Sequence, residues 1–142
     1  MEQKDKDLLL QDLCARLPYK VKASYYGAEE ECECWDEVEG IVNDHVEIGQ
    51  YSLPIEAVKP YLFPLSSMTE EQKKELRKAG GYEAREEDCG CHSETFYYNL
   101  VGHENVFNPD GNDIDWLNKN HFDYRGLIPM GLALDATGLN IY

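Results

Sequence analysis

Residues 54–69 read PIEAVKPYLFPLSSMT, and the reading of this stretch decides how the rest of the chain divides. Three of the six prolines fall here, at Pro54, Pro60 and Pro64, with Ile55, Val58, Tyr61, Leu62, Phe63 and Leu65 between them. Proline fixes φ and removes an amide donor, so this spacing argues against both a long helix and a central strand. The intervening residues are too apolar for a solvated linker. The expectation is a stiff, buried crossing segment that joins a β-rich N-terminal part to a helical C-terminal part. It ends in a helix start, because Thr69 followed by Gln72 has the form of a capping box.

Upstream, residues 7–17 set Leu9, Leu13 and Leu17 at four-residue spacing, with Leu10 and Cys14 on the same stripe. That is an amphipathic helix, stopped by Pro18, in which Cys14 reads as a small buried hydrophobe. In residues 19–26, Tyr19, Val21, Ala23 and Tyr25 alternate with Lys20, Lys22 and Ser24, the period of a half-buried strand. After a turn at Gly27-Ala28-Glu29, residues 31–42 run back. Asn43-Asp44 then suits a two-residue turn into 45–51, which sets Ile41 opposite Val46. The result is a three-stranded antiparallel meander packed under the first helix, with an SH3-like or open-barrel sheet among the forms it can take.

Downstream, residues 70–79 form a helix with Glu70 and Glu71 first and Lys73, Lys74, Arg77 and Lys78 after them, an order that suits the helix dipole. Only Leu76 and Ala79 are placed to face a core, so a surface helix is expected, and Gly80-Gly81 ends it. A second short helix over 113–120, capped by Asn112 or Asp113, aligns Ile114, Leu117 and His121. The fold class is therefore α+β. We expect one domain over 1–142, β-rich to about 53, crossing over 54–69, and helical or irregular from 70.

A net charge of −15 opposes generic nucleic-acid binding, which needs a positive field. The opening MEQKDKD lacks an apolar signal core and no apolar run is long enough to span a membrane, so a cytoplasmic location is expected. Seven carboxylates crowd residues 29–39. On a regular strand Glu31, Glu33, Glu37 and Glu39 share one parity, an acidic face suited to a basic protein partner.

The motifs Cys32-x-Cys34 and Cys89-Gly90-Cys91-His92 raise the question of zinc. Residues two apart on a strand lie about 6.6–7 Å apart, whereas thiolates sharing a zinc stand within about 4 Å. The first pair therefore reads as buried cysteines on an inner strand face. Cys89, Cys91 and His92, loosened by Gly90, are the better chelating set. No nucleophile elbow, Walker loop or HExxH is present, so the expected function is binding without catalysis and without a cofactor, zinc being the alternative. Arg125, Tyr124 and His121 suggest a different ligand, an anionic nucleotide, since arginine forks onto phosphate while a ring stacks on a base.

Three segments, LLLQDLCARLPYKVK (8–22), PYLFPLSSMTEEQKK (60–74) and HFDYRGLIPMGLALDA (121–136), resemble small uncharacterised proteins of gut Bacteroidales, their phages and related mobile elements. The likeness runs over 8–22, 54–74 and 116–136 and leaves 75–112 unmatched. It implies a setting: an accessory protein of a phage or mobile element in a bacterial cytoplasm. Such a protein would block host machinery, or sequester a signalling nucleotide used in defence.

Overall fold

The computed structural model describes residues 2–79 and 111–142. The fold is α+β: an N-terminal helix, a mixed sheet and short helices toward the C-terminus. Two compact units share the chain, Met1–Leu62 with Gly126–Tyr142, and Phe63–Arg125. Residues 126–142 thus return to the N-terminal unit instead of continuing the helical part.

In the first unit, helix α1 (Gln3–Arg16) buries Leu9, Asp12, Leu13 and Arg16. Those positions are one helical stripe, but two of its four members are charged. Cys14, expected in the core, is exposed. Leu17–Tyr19 is a 3-10 turn with Pro18 inside it, so Tyr19 is not part of the strand.

Strand β1 (Lys22–Gly27) pairs antiparallel with β2 (Cys32–Val42), which pairs with β3 (His45–Ile48), and β3 pairs with β4 (Tyr51–Pro54). The meander therefore has four strands where three were expected. The Asn43-Asp44 turn takes left-handed φ values of 47° and 62°, and Ile41 does face Val46. The unexpected break lies at Gly49, whose φ is +59°. A Cβ there would stand 2.6 Å from the Tyr25 hydroxyl, so the position needs glycine for both backbone and space.

β2 is shared between two ladders. Residues 32–37 face β1, and from Val38 onward the strand faces β3. The register skips from Val38↔Ile48 to Gly40↔Glu47, leaving Glu39 as the extra residue of a bulge.

Residues 54–69 correct the crossing-segment expectation. Ile55–Ala57 is a 3-10 turn, and Lys59–Pro64 is strand β5, an internal strand despite its prolines. In the first unit β5 pairs antiparallel with β1 at only two positions, Ala23↔Pro60 and Ser24↔Lys59. It then pairs parallel with β7 (Leu134–Asp135) at Tyr61 and Leu62. Strand order in this unit is β4-β3-β2-β1-β5, with β7 beside β5. The residues between the prolines keep their polar groups paired: the Leu62 carbonyl takes the Ala136 N–H at 2.8 Å, and the Tyr61 carbonyl takes the Tyr142 hydroxyl at 2.7 Å. The core of the unit joins Leu9 and Leu13 to Val21, Ala23, Val46, Ile48, Val58 and Leu62, all fully buried.

Tyr142 completes this arrangement. Its hydroxyl accepts the Lys22 N–H at 2.8 Å while donating to Tyr61, so a side chain bridges β1 and β5 just past their last ladder pair. The residue is 40% exposed, but its hydroxyl is enclosed between Lys22 and Tyr61, and loss of water there pushes its pKa up to about 12, although the Lys22 backbone and Arg16 pull the other way. The folded protein thus keeps a proton that an unfolded tyrosine releases near pH 10. Stability is fully present below about pH 10 and should fall between there and about pH 12, since the unfolded state then binds fewer protons. Tyr142→Phe should lose about 1–2 kcal/mol at neutral pH and show a shallower fall across that window. Denaturant melts of both proteins from pH 8 to 12 check this. Parallel curves would place the hydroxyl outside the linkage.

In the second unit, the 3-10 turn Leu65–Ser67 leads into helix α2 (Glu70–Ala79). The capping box forms in both directions: Thr69 N–H to Gln72 Oε1 at 2.9 Å, and Gln72 N–H to Thr69 Oγ1 at 3.1 Å. Lys73 pairs with Glu70 at 2.9 Å. Helix α3 spans Gly111–Lys119, starting ahead of the expected 113. It is followed by β6 (Phe122–Asp123), parallel to Phe63 and Pro64. Leu65, Met68, Leu76, Leu117 and Phe122 form the core of this unit, with Trp116 stacked on Phe122 at 5.7 Å.

Candidate functional site

Alternation along β1 and β2 sends Val21, Ala23 and Tyr25 inward and Lys22, Ser24 and Tyr26 outward. Their partners across the ladder follow suit, so Glu33, Trp35 and Glu37 share the outer face with Tyr26, Ser24 and Lys22 respectively. Tyr26 and Trp35 are 56% and 50% exposed, unusual for such large side chains. Lys22 Nζ lies 5.3 Å from the Trp35 ring centroid and 5.6 Å from that of Tyr142. Ser24 Oγ donates to Glu33 at 3.2 Å.

The expected face of four glutamates is therefore corrected. Only Glu33 and Glu37 lie together on the strand. Glu31 precedes β2 in a left-handed turn (φ 54°), and Glu39 sits in the bulge. A bulge shifts side-chain parity by one, which a regular alternation cannot anticipate. Between the two carboxylates stands Trp35, and Lys22 faces Glu37, so the surface mixes aromatic rings with both signs of charge. Beside it, Ser24, Tyr26, Glu33, Glu56, Lys59 and Tyr61 line a groove of about 600 Å³.

The other acids of the β1–β2 turn are clasped by the β3–β4 turn. Gln50 Nε2 donates to Glu29 at 2.7 Å, Tyr51 Oη donates to Glu30 at 2.7 Å, and the Glu29 N–H donates to Tyr51 Oη at 3.0 Å. Nothing in the local sequence signals this clasp, because its two halves are some twenty residues apart and meet only once the sheet forms.

Cys32 and Cys34 are exposed and half-exposed, not buried as expected. Their sulfurs stand 3.6 Å apart. Burial of its sulfur and the Cys32 thiol beside it push the Cys34 thiol up from its ordinary range. The remaining zinc candidates, Cys89, Cys91 and His92, lie outside the described residues. Among the described residues no group of three metal-ligating side chains occurs.

In the second unit, the Arg125 guanidinium lies 4.5 Å from the Tyr124 ring centroid, and the Tyr124 hydroxyl donates to Asn118 Oδ1 at 3.0 Å. His121 is 8% exposed and takes a left-handed φ of 62° where the chain leaves α3, its carbonyl accepting the Phe63 N–H at 2.8 Å. Arg125 and Tyr124 are thus brought together, while His121 is built into the turn. No helix among the described residues is long and apolar enough to cross a membrane. No family model matches the chain, and no curated protein or solved structure matches it.

Proposed function

We propose that this chain works by binding, presenting the outer face of β1, β2 and β5 to a basic protein partner. The observation that carries the reading is the exposure of Tyr26 and Trp35 on adjacent strands, Trp35 between Glu33 and Glu37 and Tyr26 across the ladder from Glu33. Aromatic anchors ringed by polar groups are the usual core of a protein interface, and neighbouring carboxylates steer a basic partner toward it. The strand order and the 3-10 turn before β5 support an SH3-like small barrel as the scaffold. In the setting that the sequence resemblance implies, the protein is an accessory or inhibitor of host machinery, such as a defence system, in a bacterial cytoplasm.

The nucleotide-sponge reading has less support. The Arg125 guanidinium lies over a face of the Tyr124 ring, the ring that would stack on a base, and His121 is 8% exposed.

The two parts of the proposed face should separate kinetically. Trp35→Ala should weaken binding by about 2 kcal/mol or more, mainly through faster dissociation. Glu33→Gln with Glu37→Gln should slow association and flatten its salt dependence. Partners recovered from a host lysate would be purified and their rates measured against each form across salt concentrations. Unchanged rates for all variants would remove this face from the mechanism.

A further inference from the structure

The two thiols at the start of β2 stand on one face of the strand and lean toward each other. Glu31 takes a left-handed conformation immediately before Cys32, and the two sulfurs converge to 3.6 Å. Space for them is reserved by Gly27, directly across the ladder from Cys32. A Cβ on Gly27 would stand 3.0 Å from Cys34 Sγ and collide with Glu30 Oε2, so sulfur and carboxylate both crowd the place a side chain would fill. Two thiolates bound at about 2.3 Å to a tetrahedral ion stand about 3.8 Å apart, close to the spacing found. A disulfide would instead require the sulfurs to close to about 2.05 Å, which a two-residue spacing on an extended strand resists. The arrangement fits a chelate better than a bond between the sulfurs.

We propose that Cys32 and Cys34 form a two-thiolate half-site for a thiophilic d10 divalent ion such as Zn²⁺ or Cd²⁺, its remaining positions open to water. Binding replaces two S–H bonds with two S–metal bonds and releases two protons, with no electron transferred.

Cd²⁺ is the probe, and thiolate-to-metal charge-transfer absorption with proton release is the readout. In the full-length chain carrying Cys89→Ser and Cys91→Ser, one ion should bind per chain and two protons should leave. Adding Cys32→Ser or Cys34→Ser should weaken binding about 100-fold or more, because the second ligand acts at high effective concentration. Cys14→Ser should change nothing. A second measurement needs no substitution: in the unmodified protein, Cd²⁺ should protect Cys32 and Cys34 together from alkylation, read by peptide mass, while Cys14 stays reactive. Equal affinity in the Cys34→Ser form, or protection of only one of the two thiols, would overturn the half-site.

Discussion

Asp12→Ala should destabilise the protein by about 3–5 kcal/mol, a large share of a typical domain's stability. Asp12 Oδ2 accepts from Arg16 Nε at 2.9 Å, and both side chains are fully buried. Removing the carboxylate takes a paired negative charge away from a guanidinium in a low-dielectric site, and desolvation of that cation is the cost. The pair itself is not expected to be a large net source of stability, so replacing both partners with apolar residues of similar volume (Asp12→Leu with Arg16→Met) should recover most of the loss. Denaturant unfolding of the single and double variants measures the difference. A second readout is independent of folding energy. Arg16 lowers the Tyr142 pKa and Asp12 raises it, so the Tyr142 phenol should titrate lower in Asp12→Ala. Near-neutral stability of the single variant would mean that water reaches the guanidinium.

Leu13→Ala should cost about 2–5 kcal/mol, through lost burial and the cavity left behind. Leu13 is fully buried beside Leu9 in the cluster that includes Val21, Ala23 and Leu62, so the substitution opens space between α1 and the sheet of its own unit. Cys14→Ala, one position along and exposed, should stay within about half a kcal/mol and serves as the control. A Leu13→Ala loss as small as the control's would place this face of α1 at a weak contact.

Much of the candidate site was written in the sequence as residue types but not as positions. Glu33 and Glu37 were recognisable as a strand-borne pair from alternation alone. Trp35 lay between them with the same parity, so alternation puts it on the same face, but that half of its surface stays uncovered is visible only in the structure. The cysteines were misassigned for a related reason. Regular strand geometry holds the backbone of residues two apart well separated, and the lean of the two side chains that brings their sulfurs to 3.6 Å is visible only in the structure.

By itself the sequence determined the features whose causes are local. The leucine spacing set α1, Asn43-Asp44 set the hairpin and its Ile41–Val46 register, and Thr69 with Gln72 set the start of α2. Each depends on hydrogen bonds or turns within a few residues, so the chain carries the whole argument. Only the tertiary structure decided that 59–64 is an internal strand, since a proline removes only its own amide and leaves the carbonyls of Tyr61 and Leu62 and the Phe63 N–H to pair with distant segments. It alone also filled two of the four buried positions of α1 with the Asp12–Arg16 pair, and brought Tyr142 to Lys22 and Tyr61. Those outcomes rest on contacts between distant segments, where one bulged residue reverses a face and the low dielectric of a finished core turns two charges into a pair.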